Sequence, residues 1–574
     1  MERQEIFVTD LYEAFEPKEI ITRDGTRSTW SYVPYKTADF DGVMLVTPNC
    51  NQPGDISYDP KLNGWYKICV SLAGNPFSVL HIKLSSERCF CYITSHHVDN
   101  YGMEQLLWKC ADLTNEKIHL TTNNTSQSHA CISALRFIPM TDDEVSAYKA
   151  DQARTDTKRM YVTEDMGNCY WNHAQMSPDD WRSVVACYAG SDVEWFSSEF
   201  GIPLEDDLEP TGWFPLDRFS AVADEAHKQG FKFAVANRMG HWGCGYPYSL
   251  KGSGHKFVDE HPEYHCVDRD GTITAALSYA FPEIRKYKIN AFITAAKCGA
   301  DAVCLFAHRG YPYVLFEKPV ADAFYEKYGE YPYEYTFDDP KLRDIHCGIM
   351  TQYVRELREA LDKEFGKNKI QIQLRGFNSI EDCKNIGFDV YKLAEEGLID
   401  AIATHTRRYI EDIPPHIMRE DDPTKIDIEK FRDYAIHGEY ETSTLYWDNN
   451  CYAPFRNSRG IIPGPTSFEE NVKQWKEFSN KFGIRVYHEM CNMCRTAEAA
   501  KQNIDRLYKA GGEAITMFNT CMLSHDTVLW NYLGKSGHKD EFGDLELCYK
   551  EYKKTRIIEF DGVNMNRFKP LWGG

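Results

Sequence analysis

Along the first quarter of the chain, apolar and polar residues alternate in short runs. The runs 65–72, 79–84, 89–94, 118–120 and 130–138 each keep one apolar face, and polar clusters such as 85–88 and 121–125 separate them. A period of two marks half-buried strands, and strands this short and this regularly spaced predict a β-sandwich. From Met160 onward the pattern changes. Compact apolar runs at 160–164, 192–197, 231–236, 301–306, 370–374, 400–404, 443–447, 485–487 and 514–518 alternate with longer stretches of helical period at 178–188, 216–229, 282–298, 342–365, 379–396, 468–482 and 496–510. Pro282 sits at a first-turn position with Glu283 beside it, and Gly299 stands where that helix should stop. Strand and helix in strict alternation predict a parallel sheet closed as a (β/α)8 barrel.

Nine candidate strands are one too many for eight places. The run 485–487 is preferred as the seventh strand because helices flank it on both sides, which leaves 443–447 in a long loop. The expected organisation is an α/β TIM barrel with an N-terminal β-sandwich: a jelly-roll-like domain at 1–145 that is a candidate for carbohydrate binding, a linker at 146–159, the barrel at 160–535 and an extension at 536–574. Within that extension, residues 556–560 read as a strand returning to the sandwich.

Composition narrows the function. At 574 residues the chain can bury more than one core, and a net charge of −21 argues against nucleic acid or an anionic membrane as partner. No run of about 20 apolar residues occurs. Residues 1–7 lack a basic segment followed by an apolar one, so the expectation is a cytoplasmic protein without a signal peptide. The 19 cysteines are scattered, many of them in apolar runs, and read as reduced, buried thiols. Cys491 and Cys494 form a single CxxC without a second pair at zinc spacing. Neither a metal nor a cofactor is expected: His488-Glu489 lacks the second histidine of HExxH, and no dinucleotide fingerprint, P-loop or nucleophile elbow is present.

Chemistry in parallel barrels gathers at the C-terminal ends of the strands. The carboxylates placed there are Glu164, Asp165, Glu199, Asp448 and Glu489, with Glu317 in the loop after the fourth strand. The cations are Arg238, His308, Arg309, Arg375, His405, Arg407 and Arg408, joined by His488 and Asn519. Glu489 is the preferred nucleophile or base, and Glu199 or Asp165 the acid. Glu164, Arg238, His308, Arg309, Arg375, His405, Arg407, Asp448, His488 and Asn519 are candidates for holding substrate. So many cations at one mouth suggest an anionic ligand, because arginine forks bind carboxylate, sulfate and phosphate. The alternative is that they neutralise the local carboxylates.

Tyr161-Val-Thr-Glu-Asp165, Asp217 to Gly230 leading into Phe233-Ala-Val-Ala-Asn-Arg238, His261-Pro-Glu, Phe281-Pro-Glu-Ile-Arg285, Ala300-Asp-Ala-Val303 with Arg309 after it, and Gly397-Leu-Ile-Asp400 occur in this order. Together they resemble the family-10-like glycosyl hydrolase barrels over residues 160–410. Asn63-Gly-Trp-Tyr66 is similar to the accessory β-domain that precedes some of them. The resemblance implies a TIM barrel and hydrolysis of sugars. It also implies acidic residues on the fourth strand, where this chain has Cys304 and Phe306. Only Asp165, Arg238 and Arg309 carry over, as cleft residues. Three functions therefore stand open: a glycoside hydrolase for a small anionic glycan or glycoside, a non-catalytic sugar-binding barrel, and a lyase or isomerase of a sugar acid that uses His308 or His405 as base.

Overall fold

A computed structural model describes residues 4–73, 78–95, 102–122, 129–164, 177–200, 216–240, 260–308 without 272, 312–336, 339–405, 467–489, 497–518, 527–544 and 553–564. The N-terminal region is strand-rich and two-layered. One layer runs Lys553–Arg556, Gly102–Asp112, Trp65–Ala73, His129–Pro139, Asp41–Pro48, Trp30–Lys36 and Glu559–Phe560 in hydrogen-bonded order. The other runs Ile56–Tyr58, Ile118–Thr121, Ser78–Leu84 and Cys91–Ser95. The apolar positions of both alternating sets, among them Ile68, Val70, Leu72, Ile132 and Leu135 against Leu80, Ile82, Ile93 and Ile118, form a single core.

Both ends of the chain build this sheet. Lys553–Arg556 pairs antiparallel with residues 102–105, and Glu559–Phe560 pairs with Tyr35 and Lys36. Ile557 and Phe560 then cover the outer face of the layer beside Tyr35, Met44 and Met103. A helix, Asp142–Gln152, fixed by a capping box between Thr141 and Glu144, runs across the boundary expected between the sandwich and its linker at 146–159.

Eight parallel strands close the barrel: β1 (Met160–Glu164), β2 (Val193–Glu199), β3 (Lys232–Arg238), β4 (Ala302–Phe306), β5 (Gln371–Phe377), β6 (Ala401–His405), β7 (Arg485–Glu489) and β8 (Ala514–Phe518), with β8 pairing back to β1. The ring is complete without residues 443–447, which lie outside the described residues. Outward positions such as Val162, Phe196, Val235, Leu305, Leu374, Ile402, Val486 and Met517 meet the helices. Inward positions form a second core, in which Ala234, Ala236, Ala302, Ala401, Ala403 and Ala514 make room for Tyr161, Trp195 and Tyr487. The Tyr161 hydroxyl donates to Gln373 Oε1 at 2.8 Å within this layer.

The stretch 379–396 was expected as one helix and is two, Ile380–Asn385 and Val390–Glu395. Gly387 breaks it, at φ +96°. A side chain there would strain the backbone, and its Cβ would lie 2.9 Å from Met350 Cγ. Gly387→Ala is therefore expected to destabilise by about 1–3 kcal/mol in urea unfolding; an unchanged midpoint would show that the turn tolerates a Cβ. Among the described residues, twelve cysteines carry free thiols, most of them buried, and no helix is long and apolar enough to cross a membrane.

Candidate active site

Period-two alternation decides which residues at the strand ends reach the lumen. On β2 the inward set is Trp195, Ser197 and Glu199, and on β3 it is Ala234, Ala236 and Arg238. On β5 the set includes Gln373 and Arg375, on β6 Ala401, Ala403 and His405, and on β7 Tyr487 and Glu489. His308 follows β4 by two residues and is fully buried.

Two carboxylate–arginine pairs result. Arg238 Nε lies 2.5 Å from Glu199 Oε1, with the carboxylate only 6% exposed. Arg375 and Glu489 have no side-chain exposure at all, and Arg375 Nη2 donates to Glu489 Oε2. The other guanidinium arm donates to Thr516 Oγ1 at 2.8 Å and to Thr163 Oγ1 at 3.3 Å, and the cation lies 4.9 Å from the Phe518 ring centroid. The backbone N–H of Phe518 donates to Glu489 Oε1 at 3.0 Å. Glu489 is thus gripped at both oxygens, which fixes its orientation.

Histidines stand against this second pair. His405 Nδ1 is 3.6 Å from Glu489 Oε2, and the His405 and His308 rings are 4.2 Å apart, centroid to centroid, at 39°. Phe518 meets His308 edge-on at 5.4 Å, and Phe306 lies tilted against it at 5.3 Å. The floor of the mouth is therefore aromatic, with ionic pairs at two places on its wall.

Several sequence-based expectations change. Glu164 shares its parity with Met160 and Val162, faces the helix layer and accepts a hydrogen bond from the Tyr188 hydroxyl, so it does not reach the lumen. His488 alternates with Glu489 and points outward like Val486; burial pushes its imidazole down to about 4, which keeps it neutral. Glu317 is buried, and burial raises its carboxyl while the Ser278 hydroxyl and the N–H groups of Leu315 and Val267 hold it as a loop anchor. The two described arginines offered as surplus cations, Arg238 and Arg375, each meet a carboxylate. The inference of an anionic ligand therefore loses both. Asp165, Arg309, Arg407, Asp448 and Asn519 lie outside the described residues. The reading of the residues did not single out Thr163, Thr516 or Phe518 for the site, although the last two share the inward parity of Ala514.

No family model matches the chain, and no curated protein matches it. Solved structures with some likeness include a β-galactosidase from the psychrophilic Marinomonas ef1, at TM-score 0.39 and 11% identity over 67% of this chain and 62% of that one. An α-galactosidase from Thermus thermophilus has TM-score 0.34 and 9% identity over 88% of this chain and 94% of that one. The catalytic domain of a β-amylase from Paenibacillus polymyxa has TM-score 0.37 and 10% identity over 67% of this chain and 98% of that one.

Proposed function

We propose that the barrel is a glycoside hydrolase whose reaction takes place at the C-terminal mouth, with Glu489 as nucleophile or base and Glu199 as acid. The observation that carries this reading is the pair of inward carboxylates on β2 and β7, each placed by an arginine. Hydrolysis of a glycosidic bond needs two carboxyl groups across it, one to protonate the leaving oxygen and one to attack the sugar or to activate water. The grip of Arg375 and the Phe518 N–H aims Glu489. Asp165, next to β1 in sequence, is the other candidate for the acid. The substrate is a small glycan or glycoside. An anionic group on it would be met by Arg309 and Arg407, since Arg238 and Arg375 already have partners.

A panel of neutral and uronate aryl glycosides tests this. Wild type is expected to release the aryl alcohol from at least one of them. Glu489→Gln should lose roughly a thousandfold or more in kcat/KM, and Glu199→Gln roughly a hundredfold or more where the leaving group needs a proton. Activity of folded Glu489→Gln within tenfold of wild type would sink the assignment. A second reading, proton abstraction from a sugar acid, is favoured by the 3.6 Å approach of His405 to Glu489. It predicts an unsaturated or isomerised sugar acid in place of a hydrolysed glycoside.

A further inference from the structure

The helix Pro282–Ala296 turns Ile284, Lys288, Ala291, Phe292 and Ala295 toward the barrel. Lys288 stands in the middle of that apolar stripe and is fully buried. An aliphatic side chain would fill the place without desolvating an amine, so the lysine calls for an explanation in its contacts. Its Nζ donates to Asn237 Oδ1 at 2.9 Å and to the backbone carbonyl of Arg238 at 3.4 Å. Asn237 in turn donates from Nδ2 to the carbonyl of Phe200 at 2.8 Å, and the Phe200 N–H returns to the Ala236 carbonyl at 2.8 Å. Phe200 and Asn237 are the sequence neighbours of Glu199 and Arg238, the two residues that make the first ionic pair. The chain from Lys288 through Asn237 to Phe200 ties the end of β2 to the end of β3 from the helix side, while Glu199 and Arg238 face the lumen.

We propose that Lys288 is a positioning residue for the Glu199–Arg238 pair, fixing through Asn237 the register of the two strand ends that present it. The inference deepens the glycosidase reading and rests on Glu199 as the acid. Lysine reaches from the helix past the apolar layer to the top of the strands, and its amine can donate at once to an amide oxygen and a peptide carbonyl. Methionine, of similar length and volume, keeps the apolar stem and loses both donations.

The test compares wild type with Lys288→Met, and with Asn237→Ala as a second cut in the same chain should the first variant fail to fold. An acid that has shifted fails most where the leaving group most needs its proton. The expected result is a loss of roughly ten- to a hundredfold in kcat/KM on glycosides of weakly acidic phenols, and less than about threefold on those of strongly acidic phenols. Equal losses on both, or none, overturn the proposal, because a general loss of folded protein cannot tell leaving groups apart. A crystal structure of the variant reads the same proposal without activity. Separation of Glu199 from Arg238 supports it and an unmoved pair overturns it, so a wild type that hydrolyses no glycoside would remove the glycosidase reading and still leave Lys288 decided.

Discussion

Arg375→Met is expected to destabilise the protein by about 3–5 kcal/mol, the range for removing one partner of a buried ion pair. Arg375 is the most deeply committed cation among the described residues. Both its side chain and that of Glu489 are shielded from water, and its two arms engage Glu489, Thr516 and Thr163. Methionine fills most of the volume but leaves a carboxylate in a low-dielectric interior without its cation, and two threonine hydroxyls lose a donor. Glu489→Gln alone leaves the converse problem of a buried guanidinium. The double change Arg375→Met with Glu489→Gln removes both charges and should recover much of the loss, since the desolvation that penalises each single variant disappears with the second. Urea unfolding of the four proteins measures this cycle. A loss below about 1 kcal/mol for Arg375→Met would mean that solvent reaches the pair. On the proposed role of Glu489, every variant that lacks it should lose roughly a thousandfold or more in kcat/KM, whether or not stability returns.

The stability that His538→Ala gives up should depend on pH in the sense opposite to the usual acid denaturation, largest at low pH and fading as pH rises. His538 lies at the other end of the barrel, with Nδ1 2.7 Å from Asp192 Oδ2 and Nε2 2.6 Å from Asp151 Oδ1. Hydrogen bonds to Asp151 and Asp192 raise its imidazole to about 9. A group whose pKa rises on folding stabilises the fold fully below its unfolded value of about 6.5 and loses that contribution as pH climbs through the folded value. The stability difference between wild type and His538→Ala is therefore expected to be about 2–3 kcal/mol near pH 6 and to shrink toward pH 9–10. Asp151 works in the other direction: its bonds to His538 and Lys535 hold its carboxyl well below the usual range, so its share is present above about pH 4 and falls away in acid. A difference between the two proteins that stays flat from pH 6 to 9 would show that His538 is neutral in the folded state. The bridge joins the helix Asp142–Gln152, the entry to β2 and the segment after the last barrel helix, so its loss should loosen that end of the barrel first.

Strand and helix positions were legible because their signals are local. The run 485–487 could be chosen over 443–447 from its flanking helical period alone, and the strand Arg485–Glu489 is in the ring. The break at Gly387 is hidden because apolar residues keep a passable helical spacing across it; the left-handed backbone and the close approach of Met350, both set by the folded structure, make a glycine necessary there. Parity along β1 and β7 would have set Glu164 and His488 on the helix side, since each is adjacent to a residue of the opposite face. Lys288 was passed over because a lysine within an apolar stripe looks like a surface residue slightly out of phase.

By itself, the sequence determined the alternating elements, the barrel and the strand ends at which carboxylates and arginines collect, because period and turn chemistry are carried by neighbours in the chain. Tertiary structure alone decided the pairings. Glu489 meets an arginine 114 positions away, and residues 553–556 complete a sheet edge more than 400 positions upstream. These contacts come from closing the ring and returning the chain to the first domain, and no local pattern records which of several arginines a buried carboxylate will face. Two of the cations that looked like a surplus in one dimension, Arg238 and Arg375, become the partners of Glu199 and Glu489 in three, because a charge withdrawn from water is stable only beside its opposite.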